Sequence, residues 1–246
     1  MMKRTNLVAI ACVAMLMGSC TTAQIQQGVD TVLGSASTSA PLTDAEVGNG
    51  LKEALQQGIS KGAAQASQTD GYFKNPLIRI LFPPEAQKVE QRLRQIGLGA
   101  ECDKFILALN RGAENAAQEA KPIFVNAIRS LTFSDVWGIL TGEKNAATNY
   151  LRRTTTQQLV SAFKPHLTTA IEKTNATRLY SQLVTRYNQI PLVQKVNPDL
   201  SDYATQKAVE GLFTLVEQEE QNIRANPIAR TTELLRRVFA RQDSRG

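Results

Sequence analysis

The chain has 246 residues, of which 42% are hydrophobic, and a formal net charge of +6. That hydrophobic share excludes disorder for most of the chain, and the length fits one domain with a substantial core once a leader and a tether are set aside. Residues 20–220 carry 20 basic and 20 acidic side chains, so the basic excess sits at the two ends and no general polyanion-binding surface is implied.

At the start of the chain, Lys3 and Arg4 precede an apolar run from Leu7 to Met17 that closes on Gly18-Ser19-Cys20. A membrane-spanning helix needs about 20 apolar residues to cross roughly 30 Å of hydrocarbon, whereas this run is shorter and gives way to polar Thr21-Thr22. The pattern predicts an export signal over residues 1–19. Leu16-Met17-Gly18-Ser19-Cys20 resembles the lipobox of bacterial lipoproteins, with methionine where an aliphatic residue is usual. The resemblance implies removal of residues 1–19 and a diacylglycerol on Cys20; an ordinary secretory peptide with an incidental cysteine is the alternative. Two or three acyl chains anchor stably, since each buried methylene contributes about 0.8 kcal/mol and one chain alone is marginal. Thr21, in place of an aspartate beside the lipidated cysteine, resembles outer-membrane sorting in enteric bacteria. The expected address is therefore the bacterial cell envelope, on the outer membrane and facing the periplasm. Cys12 leaves with the signal, so Cys102 is the remaining free thiol and the fold must hold without an internal disulfide.

Residues 20–42 read as the lipidated cysteine and a flexible tether. Ile25, Val29 and Val32 have helical spacing, but the small residues from Gly34 to Pro41 break it. About ten loose residues give a root-mean-square reach of roughly 17 Å.

Residues 43–240 read as one helical domain. Thr43 or Asp44 caps a helix whose stripe is Val47, Leu51, Leu55, Ile59, Gly62 and Ala66, and Gly58 and Gly62 on that stripe predict a close helix approach. Asp70-Gly71 ends this segment. From Asn75-Pro76 to Pro84 an irregular connection has an apolar middle, read as an extended strap over the bundle, with a short strand as the alternative. Pro84 opens a helix with Ala86, Val89, Leu93 and Ile96, which Gly97 and Gly99 stop. Ala100 to Ala120 carries small residues toward its far end, and Pro122 starts a segment through Ile128. Thr132 and Asp135 form a capping box for a short helix around Trp137 that ends at Gly142. The spacing then predicts helices over 146–163 and 167–187, interrupted near Pro165. A long helix capped by Asp199 or Ser201 reaches about Arg224 and is buried on several sides between Ala208 and Val216. Thr232 to Phe239 forms a last short helix, and residues 241–246 are expected to be a disordered basic tail. With no alternating β-branched runs and no fixed repeat, the predicted fold is all-α: an irregular multi-helix bundle in a single domain.

Few residues offer chemistry. His166 is the sole histidine and could act as a general base, or sit at a helix end touching backbone carbonyls. Cys102 could pair with it in a thiol hydrolase, or be a small buried hydrophobe. The sequence has no zinc or calcium constellation, Gly-rich phosphate loop, Gly-x-Ser-x-Gly or His-Glu-x-x-His, so no cofactor and no metal are expected. Glu217, Glu219 and Glu220 read as a solvated face with one Glu220–Arg224 ion pair in preference to paired catalytic acids. Asn110, Arg111 and Glu114, and Tyr150, Arg152 and Arg153, put polar groups into otherwise apolar or alanine-rich helices. Burying such groups is costly unless they are satisfied, so they form an internal network or line a groove. Arg230, Arg236, Arg237 and Arg241 belong to the C-terminal excess; Arg230, Arg237 and Arg241 would share one face of a continuous helix. For an exported lipoprotein this patch points to anionic lipid headgroups and not to nucleic acid.

Six segments together resemble the bacterial domain-of-unknown-function family 4197: Gly50-Leu51-Lys52-Glu53-Ala54-Leu55, Asn110-Arg111-Gly112-Ala113-Glu114, Ala120-Lys121-Pro122-Ile123-Phe124, Ile139-Leu140-Thr141-Gly142, Thr205-Gln206-Lys207-Ala208 and Ile223-Arg224-Ala225-Asn226-Pro227. The resemblance covers about residues 43–240 and implies an exported or lipidated helical protein; it brings no activity, cofactor or catalytic residue. The expected function is a membrane-anchored envelope lipoprotein whose helical domain binds a partner protein or an apolar ligand or has a structural role. The alternative is an envelope hydrolase using Cys102 or a serine with His166.

Overall fold

A computed structural model describes residues 42–189, 191–192, 195–197 and 199–243. The expected export signal, Cys20 and the tether up to Pro41 lie outside the described residues, as do residues 244–246 of the expected tail. The unit that begins at Leu42 consists of helices α1 (Asp44–Ser67), α2 (Gln87–Gln95), α3 (Gly99–Ala116), α4 (Ala120–Arg129), α5 (Phe133–Thr141), α6 (Ala146–Glu172), α7 (Asn175–Tyr187), α8 (Leu200–Ala225) and α9 (Glu233–Asp243). Among the described residues there is no strand, so the fold is the all-α bundle that the spacing predicts.

The long helices make the core. α6 packs between α3 and α8, and α1 lies along α8 on the other side. Each brings an apolar stripe at three- and four-residue spacing: Leu51, Leu55 and Ile59 from α1, Phe105 and Leu109 from α3, Leu151, Leu159 and Phe163 from α6, and Leu212, Leu215 and Val216 from α8, all buried. From Ala208 to Val216 only Glu210 is exposed, as expected for a central helix. Gly62 allows the α1–α8 approach: a Cβ there would lie 3.4 Å from the backbone of Leu215 and Val216.

Local chemistry sets the helix ends. Thr43 accepts from the Glu46 N–H while the Glu46 carboxylate accepts from the Thr43 N–H, and Thr132 with Asp135 repeats this capping box at α5. α1 ends at Ser67, just past the last residue of its stripe, and Asp70 turns the chain with a φ of 70°. α2 closes on Gly97 at a φ of 87°, with the Leu98 N–H reaching the Leu93 carbonyl and the Gly97 N–H reaching that of Arg94. That turn swings Ile96 out to 65% exposure, although the stripe spacing places it inward. Pro122 stands in the first turn of α4, where its missing N–H has no intrahelical partner to lose.

Two expected breaks differ. α6 runs through Pro165 to Glu172, and the chain turns at Lys173–Thr174 instead. An interior proline costs about 3 kcal/mol, but Leu159, Phe163, Leu167 and Ile171 lie on one buried face spanning it, and burying several such side chains outweighs that cost. At the end, α9 continues through residues 241–243, where an expected disordered tail was to begin; Ala240, Arg241 and Gln242 are all helix-tolerant. Between α1 and α2 the expected strap is extended only in part: Asn75 to Arg79 close a turn in which the Ile78 and Arg79 N–H groups reach the Asn75 carbonyl, residues 80–83 run on without helix or turn, and Pro84–Ala86 form a 3-10 turn, with Ile78, Ile80 and Phe82 buried.

Candidate functional site

The strap is held by the polar residues of α3. Asn110 is fully buried, and its side-chain amide meets the backbone of Ile80 twice: Oδ1 accepts from the Ile80 N–H at 2.9 Å and Nδ2 donates to the Ile80 carbonyl at 2.8 Å. One turn on, Glu114 is also buried and accepts through Oε1 from the N–H groups of Tyr72 (3.1 Å) and Phe73 (3.2 Å). Its other oxygen accepts from Arg111, which also donates to Asp70 at 2.6 Å. The Lys74 ammonium and the Arg111 guanidinium hold the Asp70 carboxyl below the usual aspartate range. Beneath the strap, Tyr72 is fully buried and donates its hydroxyl to the Ala208 carbonyl of α8 at 2.6 Å. Asp70, Arg111 and Glu114 thus form one linked group that meets the backbone at Tyr72 and Phe73, while Asn110 separately clamps Ile80.

The outward side of the strap is apolar and cationic. Leu77 is 67% exposed and Leu81 50%, and the Arg79 guanidinium lies 4.6 Å from the centre of the Phe73 ring. Open grooves flank it, one of about 580 Å³ along Phe73, Pro76 and Leu81 and one of about 410 Å³ between the strap and Tyr203, Lys207 and Glu210 of α8.

Tyr150, Arg152 and Arg153 stand on α6 and make no bond to the Asn110 group. Arg152 lies 4.6 Å over the ring of Phe213, and Arg153 lies 5.6 Å over that of Tyr150. Tyr150 and Arg153 line an open groove of about 460 Å³ with Ser134, Asp135, Gly138 and Glu143. The two sets of polar residues are therefore separate: one fastens the strap, and of the other Tyr150 and Arg153 edge a groove beside α5 while Arg152 covers Phe213.

Glu220 does not lie on a solvated face. It is buried, and its carboxylate accepts from the N–H groups of Ala147 (3.0 Å) and Thr148 (2.8 Å) and from the Thr148 hydroxyl (2.7 Å), capping α6 from another helix. Arg224 completes it, donating to Glu220 at 2.9 Å and to the Ile139 carbonyl at 2.8 Å. A negative charge at the amino end of a helix meets both unpaired donors and the helix dipole.

The C-terminal arginines also divide. Arg230 is not a surface residue: it precedes α9, is 3% exposed, and donates to the Ile223 (3.1 Å) and Arg224 (2.9 Å) carbonyls at the end of α8, 5.4 Å from the Phe239 ring. The helix break at Pro227 is what turns it inward, so it cannot share a helical face with Arg237 and Arg241. Arg236 is exposed near Glu233, Arg237 faces Glu46 of α1 at 3.6 Å, and Arg241 stands in the last turns of α9.

Cys102 is fully buried on α3, and that burial pushes its thiol up, away from the thiolate a nucleophile needs. His166 is half-buried within α6, not at a helix end, because α6 continues past it. Among the described residues no hydrogen bond joins it to Cys102, and no group of three or more His, Cys, Asp or Glu is placed to hold a metal ion.

The family described as "Protein of unknown function (DUF4197)" matches residues 41–240, and the chain belongs to it. No curated protein and no solved structure matches the chain.

Proposed function

We propose that the protein is an envelope lipoprotein, anchored through a lipid on Cys20 and exposed to the periplasm from the outer membrane, whose helical domain works by binding and not by catalysis. The observation that carries this reading is the use made of the buried polar groups. Asn110, Glu114 and Glu220 are all engaged with backbone groups inside the fold, a structural use of buried polar side chains. Asn110 and Glu114 thereby fix the strap and the residues leading into it, with Leu77, Arg79 and Leu81 facing out, and a preorganised surface binds without the entropic cost of ordering itself. The partners that fit such a surface are an envelope protein or an apolar ligand near the bilayer, and anionic headgroups suit the remaining exposed arginines.

The test has two arms. In cells, the wild-type chain incorporates a labelled lipid precursor and fractionates with membranes, and Cys20→Ala abolishes both. Unlabelled wild-type protein that still sediments with membranes defeats the anchor. In the second arm, the purified protein is assayed on ester, peptide and glycan substrates; turnover that disappears in His166→Ala or Cys102→Ala would overturn the binding reading in favour of a hydrolase.

A further inference from the structure

The tether meets the domain at a definite place, because α1 begins at Asp44. Two short helices flank the first turns of α1. A Cβ on Gly48 would lie 4.0 Å from Val136 of α5, and one on Gly50 would lie 2.6 Å from Val238 of α9. At 1.5 Å per residue these contacts stand about 6 and 9 Å along the helix from the point where the tether enters.

Each flanking helix also carries side chains that the bundle does not bury. On α5, Val136, Ile139 and Leu140 are buried, while Phe133 is 54% exposed and packs edge-on against half-buried Trp137, with ring centroids 6.1 Å apart. The two aromatics are four residues apart and so share one face of the helix. On α9, Leu235, Val238 and Phe239 are buried and Arg236 is exposed. Among the described residues no single helix is long and apolar enough to cross a membrane; one bent pair, Gly99–Arg129 with Phe133–Thr141, has the length and composition, but Val136, Ile139 and Leu140 of that pair are buried in the bundle. Tryptophan and other amphipathic aromatics favour the headgroup level of a bilayer, and a basic side chain near an anionic surface contributes about 1 kcal/mol.

We propose that the tether end of the domain is a membrane-docking face, with Phe133 and Trp137 of α5 seated among the lipid headgroups and Arg236 of α9 on anionic lipid. The inference rests on the reading of Cys20 as the anchor, since that anchor brings this end of the domain to the bilayer. A tethered domain needs little intrinsic affinity here, because the lipid already supplies a high effective concentration; the face sets orientation and leaves the strap free for a partner.

Trp137 is the only tryptophan in the chain, so its fluorescence reports this face alone. The experiment uses the mature lipidated protein in liposomes of phosphatidylethanolamine and phosphatidylglycerol, with and without bromine near the top of the acyl chains. Docking at headgroup depth brings Trp137 within reach of the quencher, and its emission should shift to the blue and fall about twofold or more. Phe133→Ser should reduce the quenching, Arg236→Gln should weaken its dependence on phosphatidylglycerol, and Ile96→Ser, which alters an exposed apolar residue just past the end of α2, should leave it unchanged. Emission that keeps its solution wavelength and escapes the quencher overturns the proposal, as does quenching indifferent to Phe133→Ser. Lipid labelling of Cys20, measured on the same preparation, separates the two ideas: labelled protein without quenching defeats the docking face alone, whereas absence of label defeats the anchor.

Discussion

The amide of Asn110 takes both hydrogen-bonding groups of Ile80, 30 residues away, so a single side chain does for the strap what a neighbouring strand does in a sheet. Ile80 sits buried between two residues that face out, and without this pairing its N–H and C=O would be desolvated and unmatched.

Asn110→Ala should therefore cost more than an ordinary buried substitution. It leaves a buried donor and a buried acceptor unsatisfied, each worth about 1–3 kcal/mol, for a loss of about 2–4 kcal/mol in denaturant unfolding. Leu77→Ala, on the same strap but exposed, should cost under about 0.5 kcal/mol. Hydrogen exchange should rise in residues 72–84 of the Asn110 variant before it rises in α6 or α8. Uniform acceleration would show that the strap is not held separately by this clamp.

The Glu220 cap gives a second ordering of effects. Removing one partner of a buried ion pair costs about 3–5 kcal/mol, and Glu220→Ala also strips two N–H groups at the start of α6. Thr148→Val removes only the hydroxyl partner and should cost about 1 kcal/mol. In a double-mutant cycle the pair should couple by more than about 0.5 kcal/mol, since Thr148 has little to bond once the carboxylate is gone. Additive losses would mean that the hydroxyl and the carboxylate act independently.

These two devices show which parts of the molecule were legible in the sequence. The stripes, the Thr132–Asp135 capping box and the central burial of α8 follow from residue spacing, because periodicity reports which face of a helix is apolar; Thr43 is one of two caps the spacing allows, and the strap is legible as an irregular connection but its turn at Asn75 is not. Asn110 falls between Ile106 and Ala113 on the buried stripe of α3, so its burial was readable, but its client Ile80 was not: which backbone lies opposite is a tertiary fact. Glu220 shows the same limit more sharply. It continues the stripe Leu212, Val216 and Ile223, yet local reading paired it with Arg224 and put it in water. Pro165 failed for the opposite reason, since a local rule about proline was outweighed by packing on both sides of it. Arg230 was misplaced because charge counting treats a run of arginines as one population, whereas the turn at Pro227 sends this one inward.

Burial makes the bundle sensitive to alkali. Burial, with a smaller contribution from Glu85, pushes the Tyr180 phenol up to about 12 from its ordinary value of 10, and its hydroxyl donates to the Asn197 carbonyl at 3.1 Å. With the folded value above the unfolded one, the stabilisation is complete below pH 10 and is lost as pH rises from 10 through about 12. The urea midpoint should therefore fall across that window, and Tyr180→Phe should flatten the fall. The flattening is partial, because burial also raises Tyr72. An identical slope in the variant would show that Tyr180 ionises as freely in the folded chain as in the unfolded one.

The arginines around α9 should separate by role. Arg230 covers two carbonyls at the carboxyl end of α8 and lies against Phe239, and its guanidinium is almost wholly buried. Hydrogen bonds to a charged group contribute about 1.5–3 kcal/mol, and the favourable sense of the helix dipole adds to them. Arg230→Gln should thus destabilise the domain by about 2–3 kcal/mol, in line with loss of a buried charged cap. Arg237→Gln gives up a partly exposed pair with Glu46 and should cost no more than about 1 kcal/mol. Arg236→Gln, on an exposed side chain 3.8 Å from Glu233, should change stability by less than about 0.5 kcal/mol. Denaturant midpoints of the three variants measure the order, and binding of the same proteins to phosphatidylglycerol vesicles reads the other role. Arg236→Gln should weaken that binding at unchanged stability, while Arg230→Gln should alter it only under conditions where the fold itself gives way. If Arg230→Gln lowered vesicle binding in a fully folded protein, or left the midpoint untouched, its place as an internal cap would be lost.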